Sequence, residues 1–380
     1  MVTKLKKRIC FIATVDFAIN AFLLKQLHEL SHFFEVTVIV NTTDKSFLKK
    51  QGIDATVIHL PFSRNINFLN DLYCLFCLIF ILFRGGYSCV QSITPKAGLL
   101  GMLASFMSGV PIRIHTFTGQ VWVTKRGIYR YFLKKVDRAI SFLSNYSIVD
   151  SPSQAKFLFE EMVLSPNKSI VFGSGSVSGV DLDKFKSSKK THTEVRRELL
   201  IPQDAFVFLY LGRLNKDKGV LDLANAFSKI KNDRAHLVVV GPDEADFGNQ
   251  MQKLCGPNRD RIRLVGFSKE PQRYMNAADV LCLPSYREGF GSVIIEAAAI
   301  GVPAIASNIY GISDAVQNQK TGLLHPPKDL EAILRCMSLF LSDPQLLKSY
   351  GLAAKKRAIK EFDTDVMSQH WLNFYLKHIH

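Results

Sequence analysis

Glu288 and Glu296 stand eight residues apart, in a segment that runs from Pro284 through Gly289-Phe290-Gly291 into Ser292 and an Ala-rich stretch. It follows the apolar run Val280–Leu283. The Gly-Phe-Gly turn leads into a predicted helix, and Ser292 has the chemistry of its cap. With 3.6 residues per turn, Glu296 falls about one turn inside that helix, on the end facing the turn. An ionised carboxylate only accepts hydrogen bonds, so a pair of them suits a ligand rich in hydroxyl donors. A second cluster, Gly212-Arg213 to Lys218-Gly219, follows the run Phe206–Leu211. Arg213 and Lys218 flank a turn that opens a helix. Two cations beside a helix N-terminus suit a diphosphate, which Arg grips bidentately and Lys meets as a point charge. Taken alone, each cluster has a plainer reading, a helix-start salt bridge and a solvated basic turn.

Other chemistries find less support. Gly173-Ser-Gly175-Ser-Val-Ser-Gly179 has one residue too many for the dinucleotide fingerprint and no apolar-periodic helix after it. No G-x-x-x-x-G-K-[ST] segment occurs, which excludes a P-loop nucleotidase. The seven cysteines show no zinc spacing. Cys74 and Cys77 lie inside an apolar run without a second pair, so the thiols read as reduced and buried, in a cytosolic protein.

The loops need strands to hold them. Short apolar, β-rich runs occur at Ile9–Ala13, Val36–Val40, Thr56–His59, Ser88–Ser92, Ile112–Thr116 and Ser147–Asp150. Helix-length segments lie between several of them: Ala18–Leu30, Ala97–Ser108 and Ile128–Ser144. The pattern restarts with Phe206–Leu211, His236–Val240, Ile262–Val265, Val280–Leu283 and Ala304–Ala306. Two successive βα arrays predict an α/β protein of two doubly wound, parallel-sheet, Rossmann-like domains facing across a cleft, with ligands beyond the carboxyl ends of the strands. The boundary falls in the Gly/Ser/Lys-rich stretch 173–190. That gives residues 1–180 as an acceptor domain and 187–361 as a donor domain. A helix over about 362–380 is expected to pack back on the first. The length of 380 residues fits two domains, and 47% hydrophobic with 21% charged residues is a globular composition.

Charge is uneven. Residues 1–186 carry 22 basic and 12 acidic side chains, most of the formal net charge of +15. A basic first half calls for an anionic partner. The sequence has no zinc finger, RNA-recognition signature or basic-aromatic strand, so nucleic acid is not expected.

The Glu288/Glu296 spacing, the Arg213/Lys218 pair, the segment Ser178-Gly-Val-Asp-Leu-Asp-Lys-Phe185 and the two-array layout together resemble retaining glycosyltransferases of family 4, which have the glycosyltransferase-B fold. The segments SITPKAGLLGMLAS, HTFTGQVWVTKRG and VDSPSQAKFL are similar to the branch that builds bacterial capsule, O-antigen and lipid-linked glycans. The resemblance implies that Arg213 and Lys218 bind the donor diphosphate and Glu296 the ribose hydroxyls. It places Glu288 and the amides of Gly289, Phe290 and Gly291 at the donor sugar, and makes His115 an active-site histidine. The catalytic set implied is therefore His115, Glu288, Arg213 and Lys218. The chain departs from many members at Thr14-Val15-Asp16-Phe17, where they carry a glycine pair. The resemblance further implies metal-independent transfer of a hexose or N-acetylhexosamine from a UDP-sugar, with no cofactor beyond the nucleotide sugar, to a lipid-linked or oligosaccharide acceptor. A sugar-nucleotide epimerase of the same fold and a non-enzymatic basic surface-binding protein are the alternatives.

Two segments bear on membranes. The basic run Lys4, Lys6, Lys7, Arg8 before an apolar stretch imitates a signal peptide, but Asp16 and Asn20 interrupt it, and a strand leading into a helix fits better. Leu72–Phe83 is twelve uncharged residues, short of the ~20 needed to span a bilayer, and reads as a buried helix or one that touches lipid. Arg126, Arg130, Lys134 and Arg138 recur every four residues, beside Lys125 and Lys135. This 125–138 segment is expected to lay a basic stripe on an anionic membrane, which would place the protein peripherally on the inner face of the cell membrane.

Overall fold

The computed structural model describes residues 6–63 and 65–379. Lys4, in the N-terminal basic run, lies outside them. The described residues form two compact units: those up to Ser178 together with those from Thr364 on, and Gly179–Asp363.

The first unit alternates strand and helix: β1 (Arg8–Val15), α1 (Asp16–Phe22), α2 (Leu24–Phe33), β2 (Glu35–Asn41), β3 (Ala55–His59), α3 (Phe68–Gly85), β4 (Cys89–Ile93), α4 (Pro95–Met107), β5 (Ile112–Phe117), α5 (Gly127–Leu143), β6 (Tyr146–Val149), α6 (Pro152–Glu160) and β7 (Ser169–Ile170). All strands are parallel, in the order β3-β2-β1-β4-β5-β6-β7. They are continuous apolar runs because helices cover both faces. The strand order reverses direction after β3, and right-handed crossovers then put α3, α4 and α5 on the face opposite α1 and α2. The two cores follow suit. One gathers Ala18, Leu27 and Trp371; the other gathers Cys74, Leu78, Ala97 and Ile140.

The second unit continues with α7 (Lys189–Glu198), β8 (Phe206–Leu211), α8 (Val220–Ser228), β9 (Ala235–Val240), α9 (Phe247–Leu254), β10 (Ile262–Gly266), α10 (Pro271–Ala277), β11 (Val280–Leu283), α11 (Ser292–Ile300), β12 (Ala304–Ser307), α12 (Ile312–Ala315), β13 (Gly322–His325), α13 (Leu330–Ser342) and α14 (Pro344–Glu361). Its parallel sheet has the order β10-β9-β8-β11-β12-β13, the same winding as the first. The chain then returns to the first unit as α15 (Thr364–His378), where the Trp371 indole donates to Val177 O at 3.0 Å and Tyr375 stacks on Phe11.

Three local expectations change. The helix over Ala18–Leu30 is broken at Leu23, whose backbone leaves helical values (φ −128°, ψ 0°) while its side chain stays fully buried. The Leu72–Phe83 segment belongs to a longer helix, α3, long and apolar enough to cross a membrane by length and composition. In the fold it packs on α4 and buries Cys74, Leu78 and Leu82, and its other face is exposed. Part of the basic stripe on α5 turns inward, while Arg126 and Lys135 stay exposed. Arg130 and Lys134 both pair with Glu161 and lie over the Trp122 ring, and Arg138 donates to Glu161 O at 3.0 Å. A partly buried carboxylate and an indole face offer these cations more than water does.

Candidate active site

The second unit brings its predicted residues together at the carboxyl ends of β8 and β11. After β8 the chain makes a short turn and enters α8 through Gly219, which has a left-handed backbone (φ +64°). A Cβ at Gly219 would stand 2.1 Å from Pro284 O, so glycine is what lets the β8 loop lie against the β11 loop. The Tyr286 amide closes the contact by donating to Asp217 O at 2.7 Å.

This approach sets Lys218 against Glu288. The ammonium pairs with Glu288 Oε1, and Ser285 Oγ donates to the same oxygen at 2.9 Å. Both side chains are less than a fifth exposed, so little solvent screens the pair. Arg213 is more open. Its Nη1 meets Glu244 Oε1 at 2.8 Å, and Asn215 Nδ2 holds the other oxygen of Glu244 at 2.8 Å. Buried Tyr210 supports that turn by donating to Arg213 O at 2.7 Å. Each predicted diphosphate cation is thus already aimed by a carboxylate.

The Gly289-Phe290-Gly291 turn leads directly into α11. Gly291 is the N-cap at φ +80°, and Ser292 is the first helical residue with no capping hydrogen bond. This corrects the expectation of a Ser292 cap. The left-handed backbone that ends the turn is one glycine adopts at no cost, and it leaves no serine at the cap position. Gly311 lets a neighbouring turn close in: a Cβ there would stand 2.1 Å from Gly289 O. Phe290 is 2% exposed and packs edge-on against Phe362, anchoring the turn.

Glu296 lies on α11, where it keeps some accessible surface while protein crowds its carboxyl. That desolvation raises its pKa to about 7, with the charge of Lys184 pulling the other way. At neutral pH the group is balanced between a carboxyl and a carboxylate.

The structure adds further members to this cluster: Glu244, Ser285, Asp217 with Arg287, and Tyr286, whose hydroxyl donates to Asp222 at 2.6 Å. Glu244 had a findable signal. It follows the apolar strand β9 in Gly241-Pro-Asp-Glu244, the same strand-then-glycine signature that marked Arg213. The tyrosine and aspartate contacts span some 60 to 70 residues of sequence and carry no local pattern.

His115 belongs to the first unit and lies within β5, not after it. It is 2% exposed, its Nδ1 is 2.8 Å from Ser92 Oγ, and Phe117 meets its ring edge-on. Gly98 of α4 leaves room for the ring, since a Cβ there would come within 2.5 Å of it. Burial lowers its pKa to about 3, so it is neutral. This is a core histidine that ties β5 to β4. The strand ends of this unit carry different groups. Thr14 and Thr94 share a hydrogen bond of 2.7 Å, and Lys96 reaches Asp71 at 2.8 Å and Ser63 Oγ at 3.2 Å.

The family model "Glycosyl transferases group 1" matches residues 191–357, which hold the whole cluster. The chain is 30% identical over 348 residues to the capsular polysaccharide biosynthesis glycosyltransferase CapM of Staphylococcus aureus, covering 87% of this chain and 91% of that one. It is 26% identical over 306 residues to the UDP-Gal:alpha-D-GlcNAc-diphosphoundecaprenol alpha-1,3-galactosyltransferase of Escherichia coli, covering 79% of this chain and 78% of that one. In fold it is similar to the crystal structure of Anabaena HepE in complex with UDP and glucose (TM-score 0.82, 18% identity, 98% of this chain and 100% of that one). The two parallel-sheet units, the cation–carboxylate cluster and these likenesses agree: the chain belongs to the group 1 glycosyltransferases and has the glycosyltransferase-B fold.

Proposed function

We propose that the chain is a retaining, family 4 glycosyltransferase of surface-polysaccharide synthesis. It moves a hexose or N-acetylhexosamine from a UDP-sugar to a polyprenyl-linked saccharide at the inner face of the cell membrane, without a metal. The observation that carries the reading is the Lys218–Glu288 pair, set beside Arg213 and the Gly289–Gly291 turn at one end of one sheet. A donor diphosphate takes the place of the carboxylates in front of Lys218 and Arg213. Glu288, released from Lys218, accepts from sugar hydroxyls together with the polarity of the turn amides, and Glu296 accepts from the ribose. The glycosidic C1–O bond to phosphate breaks as the acceptor oxygen bonds C1 from the same face. The acceptor's proton passes to the leaving phosphate oxygen. Charge grows on that phosphate in the transition state, where the fixed cations stabilise it most. In this reading His115 holds β4 to β5 and takes no part in the transfer. The nucleotide base and the lipid-linked acceptor are supported by the name of the E. coli relative, which gives a UDP-sugar donor and a diphosphoundecaprenol acceptor for that protein.

The test is a thermal-shift screen with UDP-, GDP- and ADP-sugars, followed by transfer to a polyprenyl-diphosphate saccharide with and without EDTA. A ligand at 100 times its dissociation constant stabilises by ~2.7 kcal/mol. A shift with UDP-sugars, transfer undiminished by EDTA, and an axial product from an axial donor by NMR are expected. No shift with any nucleotide sugar would sink the reading. Conversion of donor without acceptor would favour an epimerase.

A further inference from the structure

Helices α3, α4 and α5 form one layer on the first unit's sheet, with α4 in the middle. The inward side of α3 is Cys74, Leu78 and Leu82. Its opposite side carries Leu69, Tyr73, Phe76, Phe80 and Phe83, spaced alternately by four and three residues and each between 58% and 79% exposed. A 3.6-residue turn makes that spacing a single stripe along the helix. On α5, Ile128, Tyr131 and Phe132 have the i, i+3, i+4 spacing and are likewise exposed, and α4 ends on exposed Phe106 and Met107. Soluble monomers rarely leave so much contiguous apolar surface uncovered.

The charges on the layer are sorted. Its carboxylates point inward: Asp71 is held by Lys96 at 2.8 Å, and Asp137 accepts from the Trp122 indole at 2.7 Å and is buried. Cations lie outward among the rings. Arg84 sits 4.6 Å over the Phe80 ring and Lys135 5.2 Å over Tyr131, both exposed. Their stems follow apolar surface while their heads reach beyond it, the arrangement of side chains that snorkel.

We infer that this helical layer is the membrane-docking face, with the α3 and α5 rings in the headgroup boundary of an anionic bilayer and Arg84 and Lys135 against lipid phosphates. The occupant is a bilayer because the face pairs apolar rings with positive charge and offers no carboxylate. A second copy would oppose cation to cation, whereas an anionic leaflet complements both features. The inference replaces the inward-turned stripe of Arg130, Lys134 and Arg138 as the lipid contact. It deepens the proposed function and rests on it for the membrane location of the acceptor.

The full-length protein is sedimented with phosphatidylglycerol/phosphatidylethanolamine vesicles and with phosphatidylcholine vesicles. Wild type should partition at least tenfold more strongly onto the anionic vesicles. Phe76→Ser/Phe80→Ser should lower partitioning onto them at least tenfold, and Arg84→Glu/Lys135→Glu several-fold, with donor-induced thermal shifts unchanged. Phe76→Trp should shift its emission to the blue on vesicle addition. Phe33→Trp, on α2 across the sheet, should not. Sedimentation of Phe76→Ser/Phe80→Ser at the wild-type level, or a Phe76→Trp emission unmoved by vesicles, overturns the proposal. So does a dimer of the wild type that this double variant makes monomeric in size exclusion. Equal binding to both vesicle types overturns the anionic part. A wild type that binds vesicles but no nucleotide sugar would refute the proposed function and leave this face standing.

Discussion

The two units wind their sheets in the same order and spend their strand ends differently. In the second unit the loops after β8 and β11 interlock through Gly219 and meet as opposite charges, Lys218 against Glu288. In the first unit the carboxyl ends of β1 and β4 meet as neutral hydroxyls, Thr14 against Thr94, and the nearby cation Lys96 is occupied by Asp71. The first unit instead places its distinctive chemistry on the outside of a helical layer. One architecture therefore serves two ends: a charged nest at the strand tips in one unit, and a greasy, cationic flank in the other. Chemistry belongs to the site and not to the winding.

The comparison breaks most sharply at the cations. Lys218→Ala should lower kcat by about 10²–10³-fold, the usual scale for removing a group that stabilises developing charge. Among the described residues it also leaves Glu288 with Ser285 alone as a side-chain partner. Arg213→Ala, at a site half open to water, should cost less. Turnover of both variants at the wild-type rate in a donor-saturated transfer assay would end the diphosphate assignment.

Two glycines separate the units next. Gly219→Ala adds a Cβ at φ +64° and 2.1 Å from Pro284 O, and should cost both stability and donor affinity. Gly98→Ala pushes against His115 in the other unit and should cost about 1–3 kcal/mol of stability, the usual scale of overpacking, with donor affinity unchanged. Melting temperature and donor titration on the same samples distinguish them.

A smaller effect is expected from pH. Glu296 has its pKa raised to about 7, so its carboxylate fraction grows from pH 6 to 8. Donor affinity should tighten over that range by less than tenfold, and Glu296→Gln should flatten the profile. Stability of the free protein runs the other way. The folded state keeps a proton that the unfolded chain loses above its ordinary value of 4.5, so this group's contribution falls as pH rises from there to about 7. The smallest change is Glu161→Gln, which should cost about 1 kcal/mol or less at neutral pH. Lys134 is the main cause that lowers the Glu161 pKa, so the difference from wild type should vanish as acid protonates the carboxylate.

What the sequence made legible follows the same division. Arg213, Lys218, Glu288 and Glu296 could be read because strand, glycine turn and helix start are consecutive, so spacing alone orders them. Most strands were legible for a similar reason, since runs buried on both faces are continuous. The partner Asp222, on α8, was not, because tertiary packing brings it to Tyr286; Glu244 carried the strand-then-glycine signal, but its pairing with Arg213 is tertiary. His115 was read as an active-site histidine from the resemblance; one dimension does not say whether such a ring faces solvent or, as here, the α4 helix. For the α5 cations, a four-residue spacing defines a face without saying what covers it; Glu161 and Trp122 cover Arg130 and Lys134.

The return of α15 to the first unit has a consequence for synthesis. A ribosome delivers every residue of the second unit, 179–363, before it delivers Trp371 and Tyr375, which are both fully buried in the first. The half begun first is therefore finished last. Until residues 364–378 emerge, the nascent first unit must hold open the apolar seat beside Phe11 and Val177 that they fill. A nascent chain stalled before residue 364 would present that seat to chaperones after the whole of the second unit has emerged. Damage at one end of the message would thus register as misfolding at the other.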